Sequence, residues 1–286
     1  MRSAITVSLV PEAAGGPFVF WNGLPDAFAR ASSWGFEAVE IFPSGSEGVG
    51  VGEVRGLMEQ HGLGVAAVGT GAGWVKHRLH LCHPEAGVRA EARRFVMGMV
   101  RKAGELRAPS ILGSMQGRVE AGVDRKQALD WLAEALGEAE RVAADFGQFF
   151  LYEPLNRYET NLFNRQLEGA DFLRERGLSG VRILADWFHM NLEEADPAEA
   201  LRGLGALLGH VHFADSNRRA VGFGHTDVER LVEALREMGY SGYLSAEILP
   251  LPDSETAARQ TMESFRRWVR PGMDQPVRAS AAKNAE

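Results

Sequence analysis

Short apolar runs alternate along the chain with longer stretches whose apolar residues recur every three or four positions. The first run, "AITVSLV" (4–10), is rich in β-branched residues and too short for a helix, so it reads as a strand. The next, "LPDAFARASSWG" (24–35), has helical spacing and closes on Gly35. The alternation continues with a strand at 37–42, a helix at 52–62 ending in glycine, and a strand at 63–69. A long helix follows from Pro84 to Leu106, with proline suited to its start. Further strands are predicted at 110–115, 148–153, 181–186, 208–215 and 242–248. Helices are predicted at 124–146, near 163–176, from Pro197, at 226–238 and at 254–269. Eight strands and eight helices in strict alternation imply a parallel sheet, and eight βα units favour a closed (β/α)8 barrel as one domain over residues 1–270.

An open doubly wound sheet is the structural alternative. It lacks support here, because no glycine-rich dinucleotide fingerprint follows the first strand. "GTGAG" (69–73) follows the third strand, but its spacing fits neither that fingerprint nor a phosphate loop, so it reads as a tight loop. The tail from Pro271 to Glu286 lacks apolar periodicity and is expected to be disordered.

Composition changes the picture only a little. The chain has 286 residues, 45% of them hydrophobic, which is ample for a large core. A formal net charge of −7 argues against a nucleic-acid partner. The single cysteine, Cys82, excludes an intramolecular disulfide and points to the cytoplasm. The N-terminal apolar run is too short for a signal peptide or a spanning helix, so no membrane partner is expected.

Chemistry concentrates at the C-terminal ends of the later strands. Strand five ends in Glu153, strand six in Asp186, strand seven contains His212 and strand eight leads to Glu247. Each is separated from the next by about 30 residues, roughly one βα unit. Barrel enzymes carry their chemistry on that rim, so successive units deliver one metal-capable side chain each. Side chains alternate along a strand. If Glu153 points inward, so do Leu151 and Phe149, while Tyr152 and Phe150 pack on helices. The same parity places His210 below His212, with Val211 and Phe213 outward. Taken singly, each residue has a structural explanation: a solvated rim carboxylate, an ion pair, a hydrogen-bonded histidine. Together, three carboxylates and one imidazole form a hard ligand set suited to Mn2+, Mg2+ or Co2+, with Zn2+ left open.

The stretches "EPLNRYETNLFN", "DWFHMNLEE", "GHVHFADSNRRAVGFGHTD" and "GYLSAEI" resemble the xylose isomerase-like TIM-barrel superfamily, and within it the ketose 3-epimerases of D-tagatose/D-psicose type. The resemblance is strong over about 150–250. Before that it is diffuse, resting on "GFEAVEIF" and "HPEAGVRAEARRF". It implies a divalent metal, Mn2+ before Co2+, Mg2+ or Zn2+, held by Glu153, Asp186, His212 and Glu247. It makes Glu153 and Glu247 the acid/base pair, one on each face of a sugar. It assigns substrate contacts to Glu159, His189 and Arg218, and it suggests a homo-oligomer, dimer or tetramer. That chemistry suits the residue types: proton removal next to a carbonyl gives an enediolate, which a metal stabilises, and inversion needs a second acid on the opposite face.

Several neighbours keep two readings. Glu40 is inward and either supports a ligand or makes a buried structural hydrogen bond. Gln116 and Arg118, in "GSMQGR", either bind a polar substrate end or cap the following loop. Arg219 reads as a surface residue, and His225 as packing near a helix start rather than on the rim. Asn156, Arg157 and Asn161 are expected to brace the loop that returns Glu159 to the substrate, with Pro154 ending the strand ladder. The resemblance departs from the epimerases at "VSLVPEAAGGPF", where aromatic residues are usual, and at "GSMQGR". An aldose–ketose isomerase of hydroxypyruvate or inosose type would use the same metal site. An abasic-DNA endonuclease needs several metals and many histidines. Only eight histidines occur here, and His77, His80 and His83 do not match that pattern. A non-catalytic sugar-binding protein would not need both Glu153 and Glu247.

Overall fold

The eight strands are short and almost wholly buried, because both faces of a closed parallel sheet are covered. The computed structural model describes residues 1–270, so the expectation for the tail from Pro271 lies outside the described residues. Strands β1 (Arg2–Ser8), β2 (Ala38–Phe42), β3 (Gly64–Gly69), β4 (Ser110–Leu112), β5 (Phe150–Tyr152), β6 (Val181–Asp186), β7 (Leu208–His212) and β8 (Tyr243–Ala246) pair in sequence order. β8 closes on β1 through Arg2↔Tyr243 to Ile5↔Ala246, and every pairing is parallel. The (β/α)8 barrel expected from the alternation is therefore the fold.

Ten α-helices surround it among the described residues, two more than the periodicity predicts. They are α1 (Leu24–Trp34), α2 (Val51–His61), α3 (Ala72–His77), α4 (Ala86–Glu105), α5 (Arg125–Ala144), α6 (Gln166–Glu175), α7 (Trp187–Glu193), α8 (Pro197–Leu204), α9 (Val228–Glu237) and α10 (Ser254–Ser264). The additions, α3 and α7, sit in loops at the C-terminal mouth. α3 corrects the tight-loop reading of "GTGAG": Gly71 caps a short helix instead. Five helix starts have an aspartate whose side chain accepts backbone N–H groups, at Asp124, Asp186, Asp196, Asp227 and Asp253. α1 and α2 stop at Gly35 and Gly62 in the left-handed conformation, as the sequence suggests.

Several strands are shorter than predicted, notably β4, β7 and β8. The residues beyond them leave the strands: Ser114–Gln116 forms a tight helical turn just after β4, while Phe213 after β7 still donates to the Ser245 carbonyl. This is where the polar side chains sit. Below them, Ala67, Ile111, Leu151 and Leu184 plug the barrel, with Phe149 packed against them. Phe150, Tyr152, Val211 and Phe213 face the helices instead. The parity predicted for β5 and β7 holds. Fully burying a side chain such as Leu151 contributes about 1.5–3 kcal/mol, so a one-residue slip that turned the strand over would be costly.

Candidate active site

Four strand ends deliver Glu153, Asp186, His212 and Glu247 to one point. One ligand atom from each lies within 4.8 Å of every other. Asp186 and His212 are direct neighbours in the β6–β7 register. His212 Nδ1 stands at the centre, 3.1 Å from Asp186 Oδ2, 3.3 Å from Glu247 Oε2 and 3.4 Å from Glu153 Oε1. Asp186 divides its carboxylate: Oδ1 accepts the Phe188 N–H and starts α7, which leaves Oδ2 for the cluster. Glu153 lies just beyond β5, tied by its N–H to the Leu112 carbonyl. Its Oε2 needs a glycine opposite, since a Cβ on Gly113 would lie 2.6 Å away.

The set fits a divalent cation. Glu153 Oε1 is buried without a hydrogen-bond partner and points into the cluster. Oxygen ligands at about 2.1 Å from a shared octahedral ion stand roughly 3–4 Å apart, which matches the convergence here. The tautomer of His212 is prepared as well. Its Nε2 lies 3.1 Å from Glu40 Oε1, and the other oxygen of Glu40 lies 2.8 Å from His210 Nε2. With its Nε2 proton given to Glu40, His212 presents the Nδ1 lone pair to the cluster, the usual support for a metal-bound imidazole. Of the two readings of Glu40, the structure shows buried hydrogen bonds that bear on a cluster residue.

Above the cluster opens a cleft of about 350 Å3, lined by Phe18, Trp74, Glu159, His189 and Arg218 together with Glu153 and Glu247. Phe18 stacks on Phe42 with ring centroids 4.4 Å apart. His189, in the first turn of α7, brings Nε2 to 3.8 Å from Glu153 Oε1. Arg218 takes a left-handed backbone (φ 61°) and donates to both Asp186 and Glu247. The loop that carries it is knotted by Asp215, whose carboxylate accepts from the N–H groups of Ser216, Gly222, Gly224 and Thr226.

A profile of the xylose isomerase-like TIM-barrel family matches residues 28–268. This chain belongs to that family. It is 29% identical over 227 residues to the D-psicose 3-epimerase of Ruminiclostridium cellulolyticum, covering 76% of this chain and 75% of that one. It is 40% identical over 124 residues to the 3-dehydro-D-guloside 4-epimerase of Escherichia coli K12, covering 43% and 46%. Among solved structures, the apo 3-keto-D-glucoside 4-epimerase of E. coli superposes with a TM-score of 0.78 at 23% identity, over 93% of this chain and all of that one. These relatives are named carbohydrate epimerases.

The electrostatics of this family member's cluster follow from burial and crowding. Burial, then the charges of Glu247 and Asp186, push the Glu153 carboxyl up to about 8, against the pull of His212. Burial works against the charge of Asp186, but Arg218, His189 and His212 hold it well below the usual carboxylate range. Burial also opposes a proton on His212, yet Glu247, Glu40, Asp186 and Glu153 hold that proton well above the usual histidine range. Burial brings His189 down to about 4 and keeps it neutral. The carboxylates that keep protons on Glu153 and His212 would equally favour a cation in their place.

The structure brings together every residue named for the site from sequence: Glu153, Asp186, His212 and Glu247 in the cluster, and Glu159, His189 and Arg218 around it. The bracing loop behaves as expected. Asn156 donates to Glu159 Oε1 at 2.9 Å, Arg157 forms a bidentate pair with Glu193, and Asn161 bonds the Val119 backbone in both directions. Other neighbours resolve differently. Gln116 is fully buried, bonding the carbonyls of Gly113 and Glu153 and the Tyr152 hydroxyl, so it braces and does not face the cleft. Arg118 is exposed outside the cleft. Arg219 lies over the Phe223 ring, away from the cluster. His225 is exposed, its backbone held by Ser216 Oγ, which corrects the expected packing at a helix start. Sequence reading missed the aromatic wall of Phe18, Phe42 and Trp74, and also α7. Phe18 ends the stretch "VSLVPEAAGGPF" and lines the cleft, so the departure expected there is partly corrected: an aromatic ring does stand at that side. Phe42 and Trp74 have no local signal, and for α7 an aspartate before "WFHM" is a helix-start signal.

Proposed function

We propose that this protein is a divalent-metal-dependent sugar epimerase that inverts the carbon next to a carbonyl, with C3 of a ketose as the first reading. One observation carries this. Glu153 and Glu247 share the cluster and line the same cleft, yet come from β5 and β8, separated around the ring by two strands. A sugar lying between them presents one face to each. One glutamate then removes the proton and the other returns one on the opposite side. Held by Glu153, Asp186, His212 and Glu247, a divalent ion would supply charge stabilisation to the sugar oxygens. The hard donor set favours Mn2+, with Co2+, Mg2+ or Zn2+ as alternatives. His189 and Arg218 offer N–H donors where negative charge grows in the enediolate. Glu159, which lines the same cleft, holds a hydroxyl of the sugar.

The test is product identification on a panel of free and phosphorylated ketoses in deuterated water, with and without chelator. The expected result is deuterium at C3 without carbonyl migration, lost on chelation and restored by Mn2+ or Co2+. Carbonyl migration would overturn the epimerase reading in favour of an aldose–ketose isomerase. A dimer or tetramer belongs to the same proposal, checked by light scattering. A reducing cytoplasm agrees with the single, buried Cys82. Among the described residues no helix is long and apolar enough to cross a membrane.

A further inference from the structure

His189 carries an ambiguity that decides its chemistry: a neutral imidazole has one N–H, and only a proton on Nε2 faces the cluster. The neighbour that settles this is Asn156, buried at the turn after β5. The orientation of its amide is fixed from both ends. Oδ1 accepts the Tyr158 N–H at 3.0 Å, while Nδ2 meets the Glu159 carboxylate at 2.9 Å and must be the donor. The second proton of that amide nitrogen points at His189 Nδ1, 2.8 Å away, and the Asn156 backbone N–H lies 3.3 Å from the same atom. Two donors from one residue leave Nδ1 only the acceptor role.

We infer that Asn156 is a positioning residue that fixes the tautomer of His189, with Nδ1 bare and Nε2 protonated, and couples that donor to the Glu159 clamp through one amide. Asparagine is required because it must accept on one side and donate twice on the other. Aspartate has the same shape and keeps the Tyr158 bond, but it turns the donor side into an acceptor. Nδ1 must then carry the proton. The kinetic part of this inference rests on the epimerase reading; the tautomer does not.

The experiment uses the full chain loaded with Mg2+, which is diamagnetic, and histidine labelled with 15N, with His189→Gln identifying the resonances. In the wild type, Nδ1 of His189 should appear unprotonated and Nε2 protonated. Asn156→Asp should place a proton on Nδ1. A wild-type His189 protonated on Nδ1, or an unchanged pattern in Asn156→Asp, overturns the inference whether or not the protein turns over a sugar. Where turnover exists, Asn156→Asp should lower kcat about 10–100-fold with metal content and melting temperature retained. Glutamine at 189 donates from the Nε2 position regardless of tautomer. In the His189→Gln background the same change should therefore cost at least fivefold less. Equal cost in both backgrounds means Asn156 acts only through the loop, and the assignment fails. Asn156→Ala, which keeps the backbone donor, should fall between wild type and Asn156→Asp; a result below Asn156→Asp also rejects it.

Discussion

The two halves of the barrel rim do different work. Strands β5 to β8 end in the cluster itself, and their loops carry Glu159, His189 and Arg218. Strands β1 to β4 contribute no member of that cluster. They supply Glu40 from below and an apolar wall from the side, through Phe18, Phe42 and Trp74. The polar half is tied down by hydrogen bonds, with Asp215, Asn156 and Gln116 each fixing a loop. The wall is made by ring packing. Directional bonds hold groups whose placement must be accurate to fractions of an ångström, whereas a wall only needs shape. On the proposed function, reaction type and substrate choice are separated on the two sides of the same mouth.

If that division is right, the largest effects come from the polar half. Glu153→Gln and Glu247→Gln keep size and hydrogen bonding but remove the base, so kcat should fall at least about 10²–10⁴-fold. Stopped-assay product analysis measures the loss, and metal analysis should still find some bound ion. Unchanged turnover in either variant rejects the acid/base assignment. Glu40 belongs to the other half by sequence but to the cluster by contact. Glu40→Gln leaves His212 Nε2 with a weaker partner, and metal affinity should fall about 10–100-fold in competition with a chelator. An effect on the sugar's KM alone would move Glu40 to the wall instead.

How much of this could be read from the sequence differs between the halves for a physical reason. The four cluster residues follow strand periodicity and unit spacing, and parity correctly places Leu151 and His210 inward. Their short-range rules survive folding because a closed barrel repeats them. The choice between the readings of Glu40 was not legible, since its contact with His210 and His212 crosses the barrel and depends on how the ring closes. Phe18, Phe42 and Trp74 come from three separate segments with no shared period. Phe18 reaches Phe42 because the segment after β1 folds back onto β1, with Phe20 bridged to Val7, beside the end of β2. The sequence keeps His225 and Arg219 out of the site although both flank Arg218, because adjacency in a loop says little about which side chain turns inward; what it does not give is the exposure of His225.

Protons offer a sharper test of the polar half. A metal must displace the protons held on Glu153, near 8, and on His212, well above its usual range. Metal affinity should therefore rise with pH, by up to about tenfold per unit for each proton displaced, with the Glu153 contribution levelling off above about 8 and that of His212 continuing. The sign for folding runs the other way. The folded-state value of Glu153 is raised, so its contribution to the stability of chelated protein is complete below its ordinary 4.5 and is lost as pH rises through about 8. Metal-loaded and chelated proteins should diverge most in melting temperature on the alkaline side. Equal melting curves across that range would mean that Glu153 does not hold a proton in the folded chain.

The smallest effect belongs to the wall and is the one that separates binding from chemistry. Phe18 touches the cleft through its ring and makes no polar contact with the cluster; its partners are Phe42 and Trp21. Phe18→Leu keeps the site apolar while removing a flat surface. An aromatic contact is worth about 0.5–1.5 kcal/mol, so KM for the preferred sugar should rise about 2–10-fold. kcat should stay within about twofold, because the wall binds ground state and transition state alike. Ranking a panel of ketoses by kcat/KM should then show a flatter preference in the variant than in the wild type. A matching fall in kcat, with KM unchanged, would mean that the wall positions the reacting carbon. The polar and apolar halves of the rim would then act as one catalytic unit.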